Sequence, residues 1–66
     1  VFIRSLVRNL FGEGNDLFLE GEWGRSVELH TEALNIAEYA ESEDIMISQD
    51  LREKLHANRA ASYLNI

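Results

Sequence analysis

From Phe2 to Phe18 the apolar residues recur in steps of three and four: Phe2, Ile3, Leu6, Val7, Leu10, Phe11, Leu17 and Phe18. That period lays them on one broad face of an α-helix. The stripe has a gap at Gly14, on the same face, where the next large side chain is due. A glycine in a helix interior costs about 1 kcal/mol relative to alanine. Packing accounts for it here: a second helix is expected to approach the first closely at Gly14. Gly12 lies off the stripe and marks a second place of close approach, while Gly21 is a stop signal. The spacing predicts a first helix over 2–20.

A second pattern starts at Trp23 and runs through Ser26, Val27, His30, Ala33, Leu34, Ala37 and Ala40, widened by Leu29 and Ile36. It predicts a helix over 23–40. Only two or three residues join the two, so they form an antiparallel αα-hairpin. The following "ESEDIMISQD" holds four acids and no helical stripe. It reads as a loop over 42–47, with Ile45, Met46 and Ile47 folding back onto the hairpin. Ser48 is an N-cap candidate, and Asp50 adds favourable charge in the first turn. A third helix over 49–66 is expected to bury Leu51, Leu55, Ala60, Tyr63 and Leu64. No segment carries a strand signal.

Composition narrows the function. A chain of 66 residues buries only about 60% of its unfolded surface and is marginal alone. With no cysteine there is neither a disulfide framework nor a thiolate metal site. The same feature fits an intracellular setting, cytoplasm or nucleus. A net charge of −6 argues against direct nucleic-acid binding and against an anionic membrane surface. No apolar run approaches the roughly 20 residues that span a bilayer. The chain opens on Val1 without a signal-peptide layout, and the expectation is a segment of a longer protein.

The motif spacing resembles the tetratricopeptide repeat (TPR), a helix-turn-helix unit of about 34 residues. In "GNDLFLEGEWGRSVELHTEAL" the matching residues are Gly14, Phe18, Gly21 and Trp23, then Ser26 and Ala33 in the small-residue slots of the second helix. His30 stands where that family usually has an aromatic, and Glu38 where it often has proline, so the second helix is expected to continue. "LHANRAASYLNI" resembles the first helix of a next repeat, with Ala60 in the slot of Gly14 and Tyr63 in the slot of Leu17. More narrowly, "LVRNLFGEGNDLF", "TEALNIAEYAES" and "KLHANRAASY" resemble the amino-terminal TPR region of the zinc-finger CCCH-domain-containing protein 7 family. Members of that family carry CCCH zinc fingers further along and are linked to RNA, and none of those fingers is in this sequence. The resemblance implies an all-α fold: a TPR-type αα-hairpin plus the first helix of the next repeat, forming one unit over 1–66.

It also implies function by binding, in a concave groove that receives a partner peptide or helix. The positions that map onto the groove wall are Arg8, Phe11, Gly12, Asn15, Phe18 and Leu19 from the first helix. The third helix supplies Lys54, Ala57, Asn58, Ala61 and Asn65. One TPR subclass grips a terminal carboxylate with a lysine four residues before an asparagine, plus a second asparagine in the next first helix. Asn15 and Asn58 stand at those places, but the cation position is Phe11. Arg8 lies one turn earlier, with a different reach. Ordinary groove-lining asparagines are the simpler reading.

Nothing in the sequence argues for a catalyst or a cofactor. His30 and His56 sit on different helices without cysteine nearby, and a metal needs three or four convergent ligands. The acidic run from Glu38 to Asp44 lacks the ligand spacing and central glycine of an EF-hand and reads as solvated charge. The serines have no readable histidine and aspartate partners, and "GEGN" lies within a helix with no following lysine. The leading expectation is a non-catalytic adaptor module that binds a protein or peptide. The alternative is self-association into a homo-oligomer through uncovered faces at Leu55, Tyr63 and Leu64, since solenoid units normally need about three repeats.

Overall fold

The computed structural model describes residues 2–66; Val1, the first residue of the expected 1–66 unit, lies outside them. The fold is all-α. Helix α1 spans Phe2–Leu19, α2 spans Trp23–Ser42 and α3 spans Gln49–Leu64, and no strand occurs among the described residues. Helix α2 thus runs past Ala40 to Ser42.

The ends of α1 and α2 are built alike. Gly21, at φ +79°, is left-handed; its N–H bonds the Phe18 carbonyl at 3.0 Å, and the Glu22 N–H bonds the Leu17 carbonyl at 2.8 Å. This is the Schellman pattern, which satisfies carbonyls that the helix leaves free. At the end of α2, Asp44 takes the left-handed place at φ 58°. The Asp44 N–H bonds the Glu41 carbonyl at 3.0 Å and the Ile45 N–H bonds the Ala40 carbonyl at 2.8 Å. Helix α3 starts on the Ser48 side chain, which accepts from the Leu51 N–H at 3.4 Å.

Side-chain partners fix the directions. Phe18 meets Trp23, Gly14 meets Ser26 and Phe11 meets His30, so α1 and α2 are antiparallel. Glu41 pairs with Arg52, Thr31 with Arg59 and Ser26 with Ser62, so α2 and α3 are antiparallel too. It follows that α1 and α3 run the same way. Arg4 bonds Met46, 42 residues on, and Asn15 bonds Asn58, 43 residues on, a near-constant offset. Helix α2 packs against both neighbours, while α1 and α3 touch lightly along a seam.

The core consists of Val7, Leu10, Ala33, Ala37, Ala40, Ile47 and Leu55. Three alanines of α2 form its middle, which lets both outer helices come close. Of the loop residues, Ile47 is buried and Ile45 half-buried, whereas Met46 is 71% exposed. Ile45 and Ile47 face inward while Met46 between them faces out, so Met46 does not fold back as expected. The face of α3 also differs from expectation. Leu55 and Ser62 are its buried residues, with Leu51 half-buried, while Ala60 is exposed, Tyr63 is 57% exposed and Leu64 is 89% exposed. The inward stripe runs Leu51, Leu55, Asn58, Ser62. Ala60, Tyr63 and Leu64 lie on the far side, against which no other element packs among the described residues.

Gly14 is where the hairpin is tightest. A Cβ there would stand 2.5 Å from Nε2 and 2.6 Å from Cδ2 of the His30 ring, and that ring is fully buried. It is therefore the imidazole of His30, more than Ser26 or Ala33, that occupies the space the glycine leaves. A Cβ on Gly12, by contrast, would have nothing within 4 Å. Gly14→Ala should lower stability by about 1–3 kcal/mol, because overpacking outweighs the gain in helix propensity. Gly12→Ala should raise it by about 0.5–1 kcal/mol. Urea denaturation followed by circular dichroism checks both; a stabilised Gly14→Ala would show that the ring is free to yield.

Candidate functional site

Two polar arrangements stand between the helices, one sealed and one open. The sealed one joins all three helices. Ser26 and Ser62 are fully buried. The Ser26 hydroxyl donates to the Gly14 carbonyl at 2.8 Å. Its single proton being used there, Ser26 Oγ accepts from the Ser62 hydroxyl at 3.0 Å. The Asn58 carbonyl lies 3.2 Å from the Ser62 hydroxyl and shares its proton. His30 Nδ1 sits 3.5 Å from Ser26 Oγ, at the limit of a hydrogen bond, and Nε2 has no partner. Burial lowers the His30 pKa below its ordinary value, and the positive charge of Arg59 pushes the same way; the backbone of Phe11 opposes them without reaching hydrogen-bond geometry to Nε2. The fold thus favours the neutral ring over the charged one.

The open arrangement lies on the seam between α1 and α3. Asn58 Nδ2 donates to Asn15 Oδ1 at 2.8 Å. These two amides, with Phe18, Leu19 and Ala61, line a cavity of 330 Å³. Phe18 is held edge-on against Trp23, ring centres 5.0 Å apart, and Leu19 is 82% exposed. The amide pair leaves Asn15 both N–H donors, and leaves Asn58 its carbonyl oxygen and one N–H. A peptide backbone needs that combination of donor and acceptor, and the apolar walls suit a side chain beside it. No charged residue lines this cavity.

Five of the expected groove residues therefore come together: Asn15, Phe18, Leu19, Asn58 and Ala61. The others lie elsewhere. Phe11 packs against the core and against His30, ring centres 6.1 Å apart. Lys54 is spent on Asp50 at 3.0 Å, one turn away on its own helix. Asn65 donates to the Ala61 carbonyl at 2.9 Å. Gly12 and Ala57 are exposed beside the seam. Arg8 lines a separate cavity with Arg4 and Arg52. Neither Arg4 nor Arg52 was singled out by sequence reasoning, although Arg4 and Arg8 stand four apart on one helix, a spacing that puts them on one face. Ser62 was passed over as well, because a serine on an inward stripe reads as a surface residue until its partner is known.

Geometry sets the class: an all-helical packing unit that presents a two-helix seam with an amide floor. No protein-family profile matches the chain, and no solved structure matches it. Over its whole length, however, the chain is homologous to a segment of the human zinc finger CCCH domain-containing protein 7A, with 54% identity across 66 residues. The human zinc finger CCCH domain-containing protein 7B is 45% identical over 65 residues. The chain spans about 7% of the length of each relative. A CCCH finger needs three cysteines, and this chain has none, so the shared segment is not the finger. No helix among the described residues is long and apolar enough to cross a membrane.

The neutral, buried His30 gives a pH dependence with a definite sign. In the unfolded chain its pKa returns to 6.5, so the unfolded state binds more protons as pH falls through that value. The stabilising effect is full above 6.5 and declines below it. Urea midpoints measured between about pH 5 and pH 8 should fall toward acid. His30→Phe should flatten that slope, and His56→Gln, at an exposed site, should leave it. An unchanged slope in His30→Phe would assign the effect to other groups.

Proposed function

We propose that the chain is a non-catalytic protein-interaction module that takes a partner peptide or helix along the α1/α3 seam. The observation that carries this reading is the Asn58–Asn15 amide pair at the floor of a cavity walled by Phe18, Leu19 and Ala61. Its spare donors and acceptor match one peptide unit, and its uncharged lining favours a backbone segment over a terminal carboxylate. The carboxylate-clamp variant is disfavoured on the same grounds, since Lys54 is paired and Phe11 is turned into the core.

The module is read as the opening of a TPR-type solenoid: the hairpin α1–α2 as one repeat and α3 as the first helix of the next. Gly14, Gly21, Trp23, Ser26 and Ala33 support that reading by their places in the hairpin. Ala60, Tyr63 and Leu64 support it too, because the first helix of a repeat turns these positions toward a second helix of its own. The whole module would serve as an adaptor within a larger, RNA-associated protein of the cytoplasm or nucleus. Self-association is the second reading. Tyr63 and Leu64, both largely exposed, favour it, but Leu55 does not, being fully buried.

Selection of peptides from a displayed random library, followed by amide chemical-shift mapping, tests the groove. Enriched peptides should perturb Asn15, Phe18, Leu19, Asn58 and Ala61. Asn15→Ala with Asn58→Ala should weaken them about tenfold or more. Peptides that map to the far side of α3, or that bind the double variant equally, would overturn the assignment. Sedimentation at high concentration separates the second reading, which needs a dimer without any partner.

A further inference from the structure

We propose that the cavity between the start of α1 and the start of α3 is a seat for a phosphomonoester carried on a peptide, a phosphoserine or phosphothreonine. The inference rests on reading the seam as a peptide-binding surface, and it names a chemistry for the seam's other end. The chain has six cationic side chains against twelve acidic ones. Three of the six, Arg4, Arg8 and Arg52, line this single cavity of 410 Å³, and no acidic residue lines it. Three arginines line one space in an acidic chain, only one of them paired with a carboxylate, and an anion would offset the mutual repulsion of the others.

Each arginine is placed to offer donors. Arg4 Nε donates to the Met46 carbonyl at 2.7 Å, which steadies the guanidinium and leaves its two terminal nitrogens for a ligand. Arg8 has no hydrogen-bond or ion partner among the described residues. Arg52 pairs through one terminal nitrogen with Glu41, while its Nε is buried and has no partner. With Glu41 set against Arg52, two uncompensated positive charges remain. A phosphomonoester carries close to two negative charges and three acceptor oxygens, and it takes more than one guanidinium fork. A carboxylate, with one charge, fills a single fork. Leu51, Ile47 and the exposed Met46 also line the cavity and suit an apolar residue beside the phosphorylated one.

A nucleic-acid strand fits less well. Strands bind along a track of cations with aromatic platforms for the bases. This cavity has no aromatic lining, and the remaining three cations do not extend it: Lys54 is paired with Asp50, Arg59 lies on Thr31 of α2, and Arg25 lies at the α1–α2 turn beside Glu20 and Trp23.

The test uses the 66-residue chain, labelled for amide and arginine Nε–H resonances. The probe is a capped tripeptide, leucine–phosphoserine–leucine, alongside its unphosphorylated twin and a single-stranded RNA of about ten nucleotides. The phosphorylated tripeptide should produce saturable shifts at Arg4, Arg8, Ser48, Leu51 and Arg52, and the twin should produce none. Arg8→Gln, with helix content unchanged by circular dichroism, should weaken binding about tenfold. Equal shifts from both tripeptides, shifts spread over Arg25 and Arg59, an indifferent Arg8→Gln, or tighter binding of the RNA at the same residues would each overturn the seat. Asn15 and Asn58 report on the groove separately, so the seat can fail while the groove reading stands.

Discussion

Everything in this small fold depends on the contact between Gly14 and His30. Where the first helix lacks a side chain, the second inserts a ring, and the two backbones close to a distance that lets Ser26 reach the Gly14 carbonyl. The same close approach brings the three alanines of α2 against the apolar stripe of α1, in the core that Leu55 of α3 completes. An imidazole in this place brings a requirement that an all-carbon ring would not. It must stay neutral, and one of its nitrogens goes without a partner. An unsatisfied buried nitrogen costs stability, and here the cost is offset by filling the slot that the glycine opens.

The two cavities are consequences of that packing. Helix α2 lies against both α1 and α3, which brings the outer helices side by side and pointing the same way. Helices placed so meet along a valley. In this chain the valley is polar at its floor and unlike at its two ends. One end has amides and apolar walls; the other has guanidiniums around an apolar patch. Chain direction orders them, since Arg4 and Arg8 precede Asn15 on α1 as Arg52 precedes Asn58 on α3. A peptide lying in the valley would meet charge recognition at one end and backbone recognition at the other.

The hairpin was the legible part of the sequence. A stripe with period near 3.6, a gap at Gly14 and a stop at Gly21 were enough to place α1, the turn and α2. Helix α3 was harder for a physical reason. Its inward stripe passes through Asn58 and Ser62, which are polar, while its outward face carries Tyr63 and Leu64. Hydrophobicity alone therefore placed Leu51 and Leu55 inward, as they are, but turned Ala60, Tyr63 and Leu64 inward as well. The hydroxyl of Ser26, from a distant part of the chain, and the Asn58 carbonyl one turn back together make a serine tenable inside. The asparagine pair was visible as two positions but not as a bond, because nothing local to either residue tells where the other lies. The arginine cavity was hidden for the same reason: Arg52 comes from a helix whose face was not known in advance.

The hydroxyl pair between Ser26 and Ser62 does more than satisfy two polar atoms. Apolar helices slide over one another at little cost, and a chain rich in similar amphipathic helices offers many wrong partners. A helix docked on α2 one turn out of step, or one borrowed from another molecule, would place carbon opposite Ser26 and forfeit the Ser26–Ser62 bond in a buried place. The pair therefore acts as a key cut for one lock: α2 accepts its own third helix, in one register, and penalises an impostor.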